Sequence, residues 1–227
     1  MFFPMDATLL LLIPAVILAL WAQMRISSTF RRYSQVSSAR GVRASEAARR
    51  LLDRFGLNHV AVERVPGSLT DHYDPRSKVL RLSDDVYGST SIAAIGVAAH
   101  EAGHAVQDLQ GYAPLRIRNA IVPVTNLGST LAMPLFFLGI IMRIPALMDL
   151  GILLFAGILV FHLVTLPVEF DASSRALRLL GETQVLGTAE IAGARRVLNA
   201  AALTYVAATV MAAVQLLRLL LLRGRDE

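Results

Sequence analysis

The chain contains no cysteine and a single lysine, Lys78, and charged residues make up only 17% of its 227 positions. Without cysteine, neither disulfides nor thiolate metal ligands are available, so any metal ion must be held by histidine, aspartate or glutamate. So little charge, with 55% hydrophobic residues and a mean hydropathy of +0.54, is unusual for a water-soluble domain and indicates integration into a membrane. Aromatic residues are also few, at 7%, and do not alternate with the arginines, so we expect no nucleic-acid partner.

Four stretches of the chain carry no charged residue over the roughly 20 positions that a helix needs to cross a bilayer. They are residues 7–24, 119–142, 150–168 and 199–217. The first three are predicted to span the membrane. The fourth is predicted either to span it or to lie at its surface, because arginines follow it at positions 218, 223 and 225.

The distribution of the 22 basic residues predicts how these stretches are oriented. The start "MFFPMD" has no basic residue and arginines follow the first apolar stretch, so we interpret 1–25 as an uncleaved membrane anchor with its N-terminus outside. Fourteen basic residues lie in 25–118, four in 169–198 and one in 143–149. By the positive-inside rule, the first two of these segments are expected in the cytoplasm.

Between the first two apolar stretches, the sequence has the pattern of a small α+β domain. "VRASEAARRLLDRFGLNHV" predicts a helix with Ala47, Leu51, Leu52 and Phe55 on one side. "HVAVERV" and "KVLRLS" alternate apolar and polar residues, which predicts a short β-hairpin or meander. "DDVYGSTS" then supplies capping hydroxyls for the helix that follows.

That following helix contains "GVAAHEAGHAVQD", in which His100 and His104 stand four residues apart and frame Glu101. Residues four apart lie on the same face of a helix, so both imidazoles can direct a nitrogen at one ion. Zinc accepts such nitrogens, and Glu101 is near enough to accept a proton from a water that the metal activates. The motif predicts one zinc ion held by His100 and His104, with Glu101 as the general base of a hydrolase.

A hydrolytic zinc site needs a third protein ligand. Gln107 and Gln110 stand where the metzincin pattern has its glycine and third histidine, so the ligand must come from farther along the chain. The best candidate is Glu169 in "LPVEFDASSRAL", which lies on the same predicted side of the membrane. We expect Pro167 to start a new helix with Glu169 in its first turn.

Two other histidines are weaker candidates for the site. His162 lies inside the third apolar stretch, where an ionisable residue is a functional candidate by default, but a hydrogen bond to a neighbouring helix accounts for it better. His72, next to Tyr73 in "LTDHYDP", either stabilises a transition-state oxyanion or closes a turn, and we favour the turn.

The segments "LTDHYDPRSKVLRLS", "VAAHEAGHAVQD" and "LPVEFDAS" resemble the YugP-type family of bacterial membrane proteins, described as neutral zinc metallopeptidases. More remotely, the chain is similar to HtpX-type membrane proteases, which pair a helical H-E-x-x-H with a downstream glutamate. The resemblance implies a zincin-like (gluzincin) catalytic domain, with His100, His104 and Glu169 as metal ligands and Glu101 as general base. It also implies a multi-pass protein of the bacterial cytoplasmic membrane.

HtpX-type sequences often place an aspartate four residues after the ligand glutamate, whereas this chain has Ser173 there. Under the resemblance, Asp171 would then orient one of the metal-binding histidines instead. "KVLRLS" would be a candidate for an edge strand on which an extended substrate pairs, and a plain hairpin strand is the alternative.

The sequence thus favours a mainly α membrane protein that acts as a membrane-anchored zinc metalloendopeptidase at the cytoplasmic face, on protein or peptide substrates in or near the bilayer. Two alternatives stay open: a site-2-type intramembrane metalloprotease whose metal site Asp149 completes, and a non-catalytic metal-binding scaffold. The sequence does not determine the oligomeric state, nor whether the metal is zinc or another divalent ion. We expect five segments. These are an anchor (1–25), a catalytic part (26–118), a transmembrane hairpin (119–168), a second catalytic part with the third ligand (169–198) and a transmembrane or interfacial helix (199–227).

Overall fold

The computed structural model describes residues 7–224, and the predictions made for 1–6 and 225–227 lie outside that range. This part of the chain is mostly helical, with one small sheet. After a short 3₁₀ turn at Ala7–Leu11, the elements are α1 (Leu12–Ser34), α2 (Ala44–Arg54), β1 (Ala61–Val65), β2 (His72–Asp74), β3 (Val79–Ser83), α3 (Asp84–Tyr87), α4 (Ile92–Leu109), α5 (Ala113–Met142), α6 (Pro145–Glu182) and α7 (Thr188–Arg223).

Four helical stretches among the described residues are long and apolar enough to cross a membrane. They are Thr8–Ser34, Ala113–Met142, Pro145–Glu182 and Thr188–Arg223. The fourth apolar stretch of the sequence therefore belongs to a helix as long as the others, and the expected three to four spans become four candidate spans. The helix with the H-E-x-x-H motif, α4, is not among them.

The chain divides into two compact units. The first comprises Arg116–Pro167 and the described parts of Met1–Gln23 and Leu203–Glu227. Phe136, Met148 and Leu219 form its buried cluster.

The arginines that follow the last apolar stretch have polar partners in this unit. Arg223 Nε lies 2.8 Å from Asp149 Oδ1, and Arg218 Nε donates to Thr8 Oγ1 at 3.2 Å. Such bonds partly compensate the charges that made the fourth span doubtful from the sequence.

The second unit comprises Met24–Leu115 and Val168–Ala202. The predicted apolar face of α2 is confirmed, since Ala47, Leu51 and Leu52 are fully buried. They pack in one cluster with alternate residues of β3, Leu80 and Leu82, and with residues of α4 and α6. This core supports α4, the helix with the H-E-x-x-H motif.

The sheet differs from the predicted hairpin or meander. Its order is β1-β3-β2, with β1 parallel and β2 antiparallel to β3. The two alternating runs of the sequence are thus parallel neighbours, and the hairpin joins β2 to β3. Three-residue β2 is too short to show an alternating pattern. Because β3 is central and paired on both sides, "KVLRLS" is not an edge of the described sheet, and the substrate-pairing role considered for it does not apply.

The predicted start of a helix at Pro167 is also wrong, because α6 runs without interruption from Pro145 to Glu182. A proline in a long apolar helix removes one backbone hydrogen bond, and such helices tolerate it where their surroundings compensate. Glu169 therefore projects from the middle of a long helix rather than from a first turn, where the helix dipole would act on it.

Candidate metal centre

Helix α4 carries the two histidines and the glutamate of the motif in a largely buried setting. Ser91 caps its N-terminus by accepting a hydrogen bond from the Ala94 amide at 3.2 Å, as the capping hydroxyls predicted. Small alanine and glycine side chains surround the motif and let neighbouring elements approach closely. Glu101 and His104 are each only 8% exposed, so their polar groups need partners inside the protein.

The structure brings His100, His104 and Glu169 together. His100 Nε2 lies 3.1 Å from His104 Nε2 and 3.2 Å from a carboxylate oxygen of Glu169. His104 Nε2 lies 3.8 Å from the other oxygen. Ligands about 2.0–2.1 Å from a tetrahedral zinc ion are about 3.3 Å from each other, so the three distances suit one ion. Among the described residues, this is the group of histidines and acids that could hold a metal.

A chain of hydrogen bonds sets which nitrogen of His104 is free. The Gln107 amide nitrogen donates to the Val168 carbonyl at 2.8 Å and to Asp171 Oδ2 at 2.7 Å, and neither acceptor can donate. The amide oxygen of Gln107 therefore faces His104 Nδ1, at 3.0 Å, and accepts its hydrogen. The neutral ring then has an unshared electron pair on Nε2, directed at the other two ligands.

The second histidine is oriented by α6 itself, because Ser173 Oγ lies 3.1 Å from His100 Nδ1. The prediction that Asp171 orients a histidine needs correction. Its carboxylate accepts from Gln107 and from Arg175 Nε, so Asp171 acts on His104 only through Gln107. Ser173 makes the direct contact to a histidine instead.

The charges around the group favour a cation. Burial alone would lower the pKa of His104, but the hydrogen bond to the Glu169 carboxylate and the charges of Glu101 and Glu169 outweigh it and raise this pKa above its ordinary value. Two imidazole nitrogens and a carboxylate that converge on one point are stabilised by a positive charge between them. A metal ion supplies that charge, so the residues fit a zinc ion.

Glu101 is held by strand β2 rather than by another side chain. Its Oε2 accepts the backbone N–H of Tyr73 at 3.0 Å. The Tyr73 hydroxyl in turn donates to Asp108 Oδ2 at 2.7 Å, and Lys78 pairs with the same carboxylate. Burial, with the bond to Asp108, raises the pKa of Tyr73, so this phenol stays neutral and keeps its donor. The backbone N–H and the hydroxyl of Tyr73 thus both attach β2 to α4 beside the motif.

Helices α4 and α6 touch at Gly103, one residue before His104. A Cβ at this position would lie 2.6 Å from the Ala172 carbonyl oxygen, so only glycine fits. This close approach brings the backbone of α6 next to the motif and lets Glu169 and Ser173 reach the histidines.

The variant G103A should separate α4 from α6. We expect it to lose about 1–3 kcal/mol of stability from overpacking, despite a gain in helix propensity of about 1 kcal/mol, and to bind zinc more weakly. Thermal unfolding and metal analysis measure both effects.

The matched control is G96A in the same helix, where the new Cβ would lie 3.5 Å from the Ala194 Cβ, an ordinary contact. This variant should be neutral or slightly stabilised and should bind zinc normally. Equal behaviour of the two variants would contradict the close-packing role of Gly103.

The remaining histidines lie outside the group. His72 is exposed at the start of β2, and its Nδ1 bonds to the Thr70 carbonyl at 2.8 Å, which ties it to its own loop. It is thus in a strand rather than in the favoured turn. His162 stacks edge-on against Phe161, with ring centroids 5.8 Å apart, and His59 is exposed.

Sequence reasoning missed the hydrogen bonds that Gln107, Ser173 and the backbone amide of Tyr73 make to His104, His100 and Glu101. The spacing of the residues could have indicated the first two. Gln107 lies three residues after His104, which makes them neighbours on a helix face, and Ser173 lies one turn after Glu169. No sequence signal identifies the Tyr73 amide, because any residue at that position offers the same N–H.

Comparison with known proteins agrees with this centre. The model of a family described as "Putative neutral zinc metallopeptidase" matches residues 8–224, so the chain belongs to this zinc metallopeptidase family. The resemblance to the YugP-type family is thereby confirmed.

One curated relative is named "Putative membrane protease YugP", from Bacillus subtilis (strain 168). It is 47% identical over 219 residues, which cover 96% of this chain and 97% of that protein. No solved structure matches the chain.

Proposed function

We propose that this protein is a membrane-anchored zinc metalloendopeptidase whose active site faces the cytoplasm. The observation that supports this most strongly is the convergence of His100, His104 and Glu169 at the spacing of zinc ligands. Family membership supports peptidase chemistry, and the four apolar helices support a multi-pass membrane protein.

In this mechanism His100, His104 and Glu169 would hold the metal. A zinc ion held there would supply Lewis-acid chemistry, namely a lowered pKa of water and polarisation of the scissile carbonyl. The Glu101 carboxylate accepts the proton of the attacking water and passes it to the leaving amine. The Tyr73 amide keeps Glu101 in place through one oxygen, which leaves the other free for the proton.

The substrate strand expected at β3 is better assigned to β2. Strand β3 has partners on both sides, whereas β2 is at an edge of the described sheet and contacts the proposed base. An extended peptide paired along β2 would therefore pass beside Glu101. Main-chain pairing would position such a peptide with little dependence on its side chains.

The cytoplasmic orientation is supported by charge. All residues of the centre come from the segments 25–118 and 169–198, which hold fourteen and four of the 22 basic residues. Short basic segments next to apolar helices stay on the cytoplasmic side, a rule that applies more directly to 169–198 than to the longer segment 25–118.

Neither alternative has comparable support. A site-2-type enzyme would use an aspartate from a span, but Asp149 pairs with Arg223, and α4 is not one of the candidate spans. A non-catalytic scaffold has no need of a buried carboxylate such as Glu101, oriented beside the ligands.

Metal removal tests the proposal on the full-length protein in a neutral detergent. We expect about one zinc per chain, cleavage of an unfolded protein such as casein, loss of that cleavage with a chelator, and recovery when zinc is added back. The reason is that the described part of the chain offers one group of ligands.

Cleavage that survives complete removal of the metal would overturn the proposal. Bound zinc without cleavage of any unfolded substrate would favour the scaffold instead.

A further inference from the structure

A second site lies between α6 and α7, within the unit that contains the metal centre. It is a cavity of about 360 Å³, and its polar lining comes from Ser173, Ser174, Arg178, Arg195 and Asn199. Apolar side chains, with Phe170 the largest, complete the wall. The metalloprotease mechanism uses none of these groups except Ser173.

The two arginines are the notable feature of this cavity. Both are exposed, each comes from a different helix, and neither makes an ion pair or hydrogen bond with another described residue. No carboxylate lines the cavity. Arg175, one turn before Arg178, behaves differently, because Asp171 neutralises it. The cavity therefore has two positive charges without an ion-pair partner among the described residues.

The donor set suits a phosphate group. Guanidinium groups form paired, charge-assisted hydrogen bonds with phosphate oxygens, and the Ser174 hydroxyl and Asn199 amide add neutral donors. An aromatic wall beside these donors suits a ligand with an apolar part as well as an anionic one.

The position of the cavity along the helices indicates where that ligand comes from. The charge-free run of α6 ends at residue 168, and that of α7 begins at residue 199. The lining residues of both helices thus cluster where apolar sequence gives way to polar sequence, the level at which lipid headgroups lie. The positive-inside rule accounts for arginines near these ends, but it does not require that arginines of two helices line one cavity with other polar side chains.

We propose that this cavity binds the phosphate of an anionic phospholipid headgroup. Basic pockets between membrane helices on the cytoplasmic side bind such headgroups. Ser173 lines the cavity and also contacts His100 Nδ1, so an occupied site lies next to the metal centre. The proposal does not depend on peptidase activity.

Lipid binding to the full-length protein tests this directly. Protein in a neutral detergent is mixed with dioleoyl phosphatidylglycerol, with dioleoyl phosphatidylcholine or with inorganic phosphate, and retained ligand is measured by native mass spectrometry. We expect wild type to retain phosphatidylglycerol preferentially. R178Q/R195Q should bind it about tenfold more weakly or worse, while its thermal unfolding midpoint stays that of wild type.

The matched control is R40Q/R54Q, which removes two exposed, unpaired arginines of the same unit that do not line the cavity. It should bind lipid like wild type. Equal losses in both variants would show only general attraction to charge and would overturn the proposal. Retention of inorganic phosphate as tight as that of phosphatidylglycerol would overturn the headgroup assignment.

A peptide substrate is the competing occupant, and kinetics distinguish it. If R178Q/R195Q raised KM for peptides with a free C-terminal carboxylate but not for their amides, with lipid binding unchanged, the cavity would be a substrate site and the lipid proposal would be wrong. Lipid binding that is lost in this variant while zinc binding persists would support the proposal even if the protein proved not to be a peptidase.

Discussion

The variant E101Q is expected to bind zinc like wild type and to lose about 10²–10⁴-fold of its peptidase activity. Glutamine has the shape of glutamate, and its amide oxygen can still accept the Tyr73 N–H that holds this side chain at 3.0 Å. The buried position therefore keeps its hydrogen bond, and the fold and the metal ligands are undisturbed. An amide cannot accept the proton of the attacking water, so the loss should appear in kcat while KM changes little.

The matched control is E46Q in the first turn of α2, which removes an exposed carboxylate without a described partner. It should retain full activity. The measurement combines metal analysis with cleavage of an unfolded protein. Activity retained by E101Q would refute its role as general base, and zinc lost together with activity would show that Glu101 supports the metal instead.

The variant E169Q is expected to lose zinc. The neutral amide is a much poorer ligand than the carboxylate, and it no longer balances the charge of the ion between His100 and His104. Removing a partner outside the ligand set typically lowers metal affinity about 10–100-fold, so loss of a ligand should exceed about 100-fold. Peptidase activity at limiting zinc should fall in parallel.

Two further variants make this result interpretable. E182Q removes an exposed carboxylate at the end of the same helix and should bind zinc normally. D149N removes the acid that a site-2-type centre would use, and it should also bind zinc normally, because Asp149 pairs with Arg223. Zinc that is lost in D149N but kept in E169Q would establish the intramembrane alternative and reject Glu169 as a ligand. Competition titration with a zinc indicator measures all three affinities.

The features that could be predicted from the sequence are those that depend on local sequence patterns. The helix with the motif, its serine cap, the buried face of α2 and the apolar helices all depend on neighbours within a few positions, and the structure has them where expected. Glu169 required a longer inference, from topology and from the absence of other suitable acids. The structure places its carboxylate 3.2 Å from His100 Nε2.

Sequence patterns failed where partners are distant or where the backbone is the partner. The order of the strands escaped prediction because β2 is too short for an alternating pattern. The continuity of α6 through Pro167 escaped it because a proline usually ends a helix in water, whereas a long apolar helix can continue past one.

The sequence by itself determined the chemistry available to this protein. With no cysteine and one pair of histidines four residues apart, two of the proposed metal ligands and the proposed base follow from residue type and helical periodicity, and the third ligand follows from the predicted topology. Only the tertiary structure decided how these groups are oriented. The Gln107 amide, the Ser173 hydroxyl and the Tyr73 N–H come into reach because Gly103 lets α6 approach α4 and because β2 lies along α4. Hydrogen bonds depend on distance and direction, and packing between distant segments sets both.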